Sequence, residues 1–318
     1  MFLEIALSTH HVVPPEPEMM VWGYFDATLE PVLKVKSGDT VTVSSWPAGG
    51  EECLPSDPAL IHPLHRRALD ELKNERGAHF VTGPVAVEGA MPGDVLQVDI
   101  LDHQFLIDWG FTSIIPLLGT LPEFDTPMTI RPHIDRQRGF CSLPWGKELK
   151  LDPFFGIIAT SPPKHWGRVA TTQPRAFGGN MDNKELRPGT TLYLPVFVEG
   201  ANFMAGDGHG VQGDGEVCIT ALETALSGTF RLTVRKDLSF DAPFAENETH
   251  LISIGLNEDL DDAAADAVRR MVKEITKRSK LSPEEAYMLC SLAGDLRVTQ
   301  TVDQVKGCHM MMAKSHLP

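Results

Sequence analysis

The sequence has few cysteines and no long apolar run. Its five cysteines are odd in number, scattered, and form no Cys-x-x-Cys pair, which indicates reduced thiols in a cytoplasmic protein rather than a disulfide framework. No stretch approaches the roughly 18 consecutive apolar residues that span a bilayer. The N-terminal segment MFLEIALSTHHVVPP lacks the basic start and apolar run of a signal peptide. We therefore expect a cytoplasmic protein without a membrane partner.

Positive charge is also scarce. Lys and Arg number 28 against 43 Asp and Glu, which gives a net charge of −15. This balance argues against nucleic acid or an anionic membrane as a partner, because both require a basic surface. With 42% hydrophobic residues the chain can bury a sizeable core, and its length allows one large domain or two fused units.

Turn-forming residues are plentiful. The 24 prolines and 27 glycines are spread along the whole chain, which indicates many short strands joined by turns. Three segments, at 33–43, 87–100 and 186–196, share a strand–turn–strand design, and the tetrapeptide Val-Glu-Gly-Ala occurs twice. Two similar β units would explain the repetition, and so would coincidence in a β-rich chain.

Helical patterns begin near the C-terminus. Asn257 is expected to cap a helix over 257–280, because acidic residues follow it and basic residues gather at the other end. Ser282 is expected to cap a second helix over 282–294. We therefore predict a mainly β fold. A β-sandwich or barrel-like body of two similar β units would occupy residues 1–240, and a smaller α+β portion with these helices would occupy 241–318.

The most informative stretch is Gly-Asp-Gly-His-Gly-Val-Gln-Gly-Asp-Gly-Glu at 206–216. It is too polar to build a core. The apolar segments at 191–198 and 217–222 are predicted strands that hold it on both sides. In an extended backbone Asp207 and His209 would share one face, because side chains alternate. These residue types bind metals and move protons, so the stretch predicts a site rather than a solvated loop.

Several motifs, in order along nearly the whole chain, resemble the acetamidase/formamidase family. They are residues 178–186, 189–198 and 206–218, with further blocks at 22–26, 82–90, 153–156, 295–300 and 306–309. The resemblance implies hydrolysis of short aliphatic amides such as formamide or acetamide to carboxylate and ammonia. It also implies a mostly β fold with a smaller α+β part, and a homo-oligomer, a dimer or larger.

Amide hydrolysis needs an activated nucleophile, oxyanion stabilisation and an acid for the leaving amine. No Gly-x-Ser-x-Gly elbow is present, so a metal-activated water fits better than a serine triad. Asp182, Asp207 and His209 are the ligand candidates, and His79 is a further ligand or proton shuttle. Mixed Asp/His ligation favours Zn²⁺ and admits Mn²⁺ or Fe²⁺, whereas all-oxygen ligation would suit Ca²⁺.

Three carboxylates are candidates for general base or acid. Glu216 is the first choice, Asp214 the second, and Glu88 the third. The candidates for substrate binding are Asn180, Gln212 and Gly208, since amides can hydrogen-bond the substrate or its oxyanion and glycine admits close approach. Each has a structural alternative, because Asp-Gly is a typical hairpin-turn pair and Asn braces glycine-rich loops.

A different interpretation retains the predicted fold but assigns no enzymatic activity. A β-sandwich module could use the Asp/Gly stretch to hold a structural Ca²⁺ or a sugar. His209 and Glu216 favour the enzyme, because a structural calcium loop gains nothing from histidine. A hydrolase of another amide or carbamate-like substrate is a further alternative.

Overall fold

The computed structural model describes residues 8–318, and strands dominate them. The three α-helices are α1 (Pro63–Glu71), α2 (Leu260–Arg278) and α3 (Pro283–Ala293). Short 3₁₀ helices lie at Pro17–Met19, Glu51–Cys53, Pro58–Leu60, Lys164–Trp166 and Lys314–His316. The strands are β1 (His10–Val13), β2 (Met20–Trp22), β3 (Tyr24–Phe25), β4 (Leu33–Val35), β5 (Thr40–Ser45), β6 (Phe80–Val87), β7 (Val95–Phe105), β8 (Thr112–Ile114), β9 (Met128–Ile130), β10 (His133–Asp135), β11 (Phe140–Ser142), β12 (Glu148–Lys150), β13 (Phe154–Ala159), β14 (Val169–Ala170), β15 (Gly178–Asn180), β16 (Thr191–Pro195), β17 (Phe203–His209), β18 (Glu223–Thr224), β19 (Leu226–Arg235), β20 (Phe244–Glu246), β21 (His250–Asn257), β22 (Gly294–Gln300) and β23 (Lys306–Ala313).

Two large sheets contain most of these strands. The nine-stranded sheet has the order β1-β5-β19-β7-β16-β20-β21-β23-β22. In the seven-stranded sheet, β15, β13, β17, β6 and β2 lie side by side, β18 pairs with β17, and β4 pairs with β6. Smaller sheets are formed by β10-β11-β12, by β14-β3 and by β8-β9.

The main core lies between the two large sheets. Leu192 and Leu194 of β16 are buried in it, together with Val85 of β6 and Phe203 of β17 from the other sheet. Tyr193 instead joins the cluster beneath the C-terminal helices, because successive side chains of a strand point to opposite faces. The prediction of a mainly β, sandwich-like body is confirmed.

The C-terminal helices cover the other face of the nine-stranded sheet. Helix α2 buries an apolar stripe of Ala263, Ala267, Met271 and Ile275, beside the buried Glu274. The four residues repeat every four positions and therefore lie on one side of the helix. They pack with Met310 and Met312 of β23. None of the helices within residues 8–318 combines the length and apolarity that a membrane crossing needs.

The two helix starts differ in how well local sequence predicts them. Ser282 caps α3 as expected, and its capping box with Glu285 is complete. The prediction of Asn257 as the cap of α2 is wrong. Asn257 ends β21, and the carboxylate of Asp259 accepts the backbone N–H of Asp261 at the start of the helix. The long acidic run after Asn257 offers several capping side chains, and the end of β21 decides which one is used.

The C-terminal strands continue the sheet of the body. Strands β20 to β23 extend the nine-stranded sheet beyond β16, so a boundary at residue 240 passes through one hydrogen-bonded layer. The division into two portions and the two similar β units stay predictions. The predicted strand at 217–222 is wrong: this segment is irregular, and Glu216 and Ile219 have positive φ angles that turn the chain.

Candidate active site

The candidate site is built on β17, in the middle of the seven-stranded sheet between β13 and β6. Residues 206–209 belong to this buried strand, and the irregular loop begins only at Gly210. Asp207 and His209 project to the same side, as residues two apart in a strand should. Oδ2 of Asp207 lies 3.2 Å from Nε2 of His209. The centre of the site is therefore embedded in a sheet.

Four carboxylates surround the Nε2 atom of His209. Glu223 lies directly opposite His209 in the antiparallel pairing of β18 with β17, and its Oε2 is 3.3 Å from that nitrogen. Asp182, just after β15, and Glu216, in the loop after β17, each place an oxygen 4.0 Å from it. Together with Asp207, these residues form what we call the carboxylate cluster.

Gln212 fixes the orientation of the imidazole. Its Nε2 donates to the backbone oxygen of Asp182 at 2.8 Å, which turns its Oε1 towards Nδ1 of His209, 2.9 Å away. An amide oxygen can only accept a hydrogen bond, so Nδ1 of His209 carries a proton. This arrangement turns Nε2 towards the carboxylate cluster, which is the orientation that a metal-binding histidine needs.

Three members of the cluster have left-handed backbones. The φ angles of Asp182, Asp207 and Glu216 are 47°, 59° and 40°. This conformation costs a residue with a side chain roughly 1–2 kcal/mol, and such strain concentrates at functional sites. The folded structure compensates for this free-energy cost at all three positions. The carboxylates of these three residues converge in this conformation.

The C-terminal portion also contributes to the site. Gly215 donates its N–H to the carbonyl of Thr299 at 3.0 Å and accepts the N–H of Thr301 at 2.9 Å. These two bonds position the adjacent Glu216. Asp303, in the turn after β22, lines the same cavity as the cluster. Residues from the middle of the chain and from its C-terminal portion therefore build one site.

Burial and mutual repulsion perturb the acid–base behaviour of the cluster. Burial would lower the pKa of His209, but attraction to Glu223 and Asp207 outweighs it and raises that pKa well above 6.5. Burial raises the pKa of Glu223 to about 7. The pKa of Asp207 is lowered, because His209 and His79 outweigh the effect of its burial.

The pKa values of the remaining acids are raised. Burial, followed by repulsion from Asp182, raises the pKa of Glu216 well above 4.5. Burial and Asp207 raise the pKa of Asp182. Burial and Asp182 raise the pKa of Asp303 well above 3.8. The site thus holds more buried carboxylates than nearby histidines can balance, and such a surplus is costly without a cation.

The donor atoms fit a divalent cation. Both side-chain oxygens of Asp182, Oδ1 of Asp207 and Oε2 of Glu223 are buried without a hydrogen-bond partner. Two sets have ligand atoms within 4.8 Å of one another, Asp182–His209–Glu216 and Asp207–His209–Glu223. An oriented imidazole nitrogen, unpaired carboxylate oxygens and an excess of buried acids over histidines are the donor set that a metal ion would require.

The cluster forms the floor of a cavity of about 450 Å³. His79 and Asn180 also line it. Nε2 of His79 is 3.9 Å from Oδ1 of Asp207, and Nδ1 contacts Oγ1 of Thr171 at 3.0 Å. Nδ2 of Asn180 donates to the carbonyl of Thr172 at 3.2 Å, while its Oδ1 is buried without a partner.

Several candidates from the sequence lie elsewhere. Asp214 is ion-paired with Lys184 at 3.1 Å and does not line the cavity. Glu88 is exposed in the turn after β6 and borders a different surface cavity. Gly208 is buried in β17, where a Cβ would lie 2.8 Å from the carbonyl of Thr224. Its role is close packing of strands rather than contact with a ligand.

Three residues of the site escaped sequence reasoning. Glu223 gives one local signal, an acid inside the apolar segment Ala-Leu-Glu-Thr-Ala-Leu. Asp303 gives no local signal, because its sequence context is that of an ordinary turn residue. Gly156 of β13 faces the cluster, and a Cβ there would lie 2.5 Å from Oδ2 of Asp207 and closer still to Oδ1 of Asp182. Its missing side chain makes room for the two carboxylates.

Known proteins of one family resemble this chain. The profile described as "Acetamidase/Formamidase family" matches residues 24–165 and 163–314. A formamidase of Methylophilus methylotrophus is 31% identical over 192 residues, which cover 44% of this chain and 47% of that protein. The matched segments span about half the length of the curated relatives.

Solved structures match over almost the whole chain. An acetamidase from Bacillus halodurans has a TM-score of 0.82 and 32% identity, and the match covers 96% of this chain and 98% of that one. An acetamidase from Yersinia enterocolitica has a TM-score of 0.85 and 26% identity, with 99% and 94% covered. The likeness extends over both large sheets and the C-terminal helices.

Proposed function

This chain belongs to the acetamidase/formamidase family, and we propose that it is an amidohydrolase of linear C–N amide bonds. Its substrates are short aliphatic amides of the formamide or acetamide type, and its products are a carboxylate and ammonia. One observation carries the proposal: a buried, oriented histidine nitrogen among four carboxylates at the floor of a cavity. The names of the relatives support the substrate class.

Asn180 orients the amide in this proposal. Its Nδ2 is engaged with the backbone, so its unpartnered Oδ1 is the atom that can meet the substrate. An amide oxygen only accepts hydrogen bonds, and therefore it matches the N–H₂ group of a primary amide rather than a developing oxyanion. A buried acceptor left unpaired costs roughly 1–3 kcal/mol, so an amide N–H there would be selected over an ester oxygen.

A divalent cation, with Zn²⁺ favoured, is the proposed cofactor. Asp207, His209 and Glu223 would hold it, and Asp182 has an oxygen 4.0 Å from the same histidine nitrogen. When bound, such a cation supplies Lewis acidity that activates water and polarises the carbonyl. Mixed nitrogen and carboxylate donors suit Zn²⁺ and admit Mn²⁺. Ca²⁺ prefers about six to eight oxygen ligands, which makes a structural calcium or sugar-binding module the weaker candidate.

Glu216 is the proposed general base and acid. Burial and Asp182 raise its pKa, and positive charge beside Asp182 would bring that pKa back towards neutrality. Its carboxylate takes a proton from the attacking water as the C–O bond forms. It then returns this proton to the nitrogen as the C–N bond breaks, which releases ammonia. His79 is placed to bind the carbonyl oxygen or to serve as a further ligand.

The decisive experiment measures ammonia release from formamide and acetamide, before and after dialysis against a chelator. We expect activity to disappear with the metal and to return with Zn²⁺ more than with Ca²⁺. A His209→Ala variant should lose activity by orders of magnitude, whereas His165→Ala, on an exposed 3₁₀ helix, should not. Tightly bound calcium without turnover of any amide or carbamate would refute the proposal. The homo-oligomer and the cytoplasmic location stay predictions.

A further inference from the structure

The cavity above the carboxylate cluster is larger and more apolar than formamide or acetamide requires. We propose that the preferred substrate is an uncharged primary amide with an unbranched apolar acyl chain of medium length. The inference rests on the proposed amide hydrolysis and names its substrate class. Molecules of three or four heavy atoms occupy on the order of 100 Å³, at roughly 30 Å³ for each water-sized atom. The cavity measures about 450 Å³, which leaves most of it for the rest of a substrate.

One side of the cavity is an apolar wall, which we define as Phe111, Ile114, Ile115, Pro116, Leu118 and Ile219. The catalytic floor is buried, whereas Ile115 is 41% and Leu118 53% exposed at the rim. A linear amide with its amide group at the floor would therefore extend its acyl chain along this wall. Burial of that chain against the wall would contribute binding energy.

The apolar wall is rigidly connected to the site. Phe111 exchanges two backbone hydrogen bonds with Glu223, at 2.9 and 2.8 Å. The N–H of Ser113 donates to Oγ1 of Thr220 at 2.8 Å. Strand β8, which follows Phe111, is paired in turn with β9. Since the wall begins at the residue paired with Glu223, its distance from the carboxylate cluster is fixed by the fold.

The apolar surface continues beyond the cavity. A second cavity of about 200 Å³ shares Ile114 and Ile115 with the first, and Leu121, Phe124 and Val217 also line it. The last three side chains are largely exposed. Contiguous exposed apolar residues of this kind mark ligand grooves more often than inert surface. A chain too long for the first cavity would follow this surface.

Charge restricts the substrate further. The described residues that line the main cavity include no Lys or Arg, while Glu52 and five buried acids border it. A carboxylate at the far end of the acyl chain would have to leave water for a wall that offers no cation to pair with it. A substrate ammonium would have to leave water for the apolar wall. The acyl chain that this cavity accepts is therefore uncharged.

The test compares kcat/KM of the metal-loaded protein for the linear amides from formamide to octanamide. We expect a rise of about fourfold for each methylene from acetamide to about hexanamide, the factor for burial of one CH₂ group, and then a plateau. Succinamate, which carries a carboxylate at the end of a similar chain, should react at least about 100-fold more slowly than pentanamide. Ile115→Ser and Leu118→Ser should each lower the hexanamide-to-acetamide ratio several-fold. Trp145→Ser, on the exposed β11–β12 turn outside the cavity, should leave the ratio unchanged.

The possible outcomes separate this inference from the proposed function. Hydrolysis of formamide and acetamide with a flat or falling chain-length series would overturn the inference and leave the amidase activity standing. No turnover of any amide would overturn both. A rising series that the two wall variants do not change would also refute the apolar wall as its cause.

Discussion

The sharpest test of the site is a single added methyl group at Gly156. A Cβ at this position would lie 2.5 Å from Oδ2 of Asp207, closer still to Oδ1 of Asp182, and 3.0 Å from Cε1 of His209. Ordinary contact begins at 3.4 Å, so Gly156→Ala must push both carboxylates away by about 1 Å. The backbone of Gly156 has no positive φ angle, and the effect is therefore steric.

The expected effect on activity is large and the effect on stability moderate. A displacement of about 1 Å in a catalytic group can cost on the order of 100-fold in rate, and we expect that loss in kcat/KM for acetamide. Overpacking a buried position costs about 1–3 kcal/mol, which a domain of this size should survive. Metal content should fall with activity, because each of the two candidate ligand sets includes one of the displaced carboxylates.

The assay combines ammonia release, metal content and thermal unfolding. Gly213→Ala is the matched control: Gly213 lies in the loop after β17, and nothing lies within 4 Å of a Cβ at that position. We expect the control to retain activity and metal. If Gly156→Ala folds, keeps its metal and hydrolyses acetamide at the wild-type rate, then the close convergence of Asp182 and Asp207 is irrelevant to function, and the proposed centre is wrong.

Further predictions concern the site and the stability of the C-terminal portion. Glu223→Gln should reduce kcat/KM by at least about 100-fold. Asp214→Asn alters only a surface ion pair, so its kcat/KM should stay within about twofold of wild type. Equal effects of the two substitutions would contradict the assignment of Glu223 to the site. Ser282→Ala removes a complete capping box and should lower the free energy of unfolding by about 1 kcal/mol in urea titrations. Burial would raise the pKa of Glu246, but Lys314 and Arg278 outweigh it and lower that pKa. The charged Glu246 therefore stabilises the fold at pH values above its ordinary pKa of 4.5, and this stabilisation is lost as the pH falls through the pKa of the folded state. The free energies of unfolding of wild type and Glu246→Gln should differ at pH 7 and converge in acid.

Local patterns predicted the features that depend on neighbouring residues. Asp207 and His209 share a face because they are two apart in one strand. Ser282 caps α3 because its capping partner is three residues away. Gln212 is a predicted substrate-binding residue, and in the structure its amide oxygen contacts Nδ1 of His209. Proximity along the chain groups these residues in one region, but it does not distinguish a predicted ligand from a residue that orients it.

The positions of the other site residues depend on pairing between segments that are distant in the sequence. Glu223 meets His209 because β18 pairs with β17 in one register, and no sequence period encodes that register. Glu88 and Asp214 have the same chemistry as Glu223, yet their turns direct them to other surfaces. The left-handed backbones of Asp182, Asp207 and Glu216 contradict ordinary residue preference. The sequence offers these three residues as site candidates, but it does not predict the backbone conformation that brings their carboxylates together.

The site explains why the C-terminal portion and the body share one sheet. Asp303 lines the catalytic cavity, and backbone bonds from Thr299 and Thr301 hold the loop that carries Glu216. If the two portions moved independently, the distance from Glu216 to His209 would vary with that motion. Continuous hydrogen bonding from β16 through β20, β21 and β23 to β22 prevents this. A protein cut at residue 240 would therefore lose the positioning of its proposed general base even if both pieces folded, and activity should return only when the pieces rebuild the sheet.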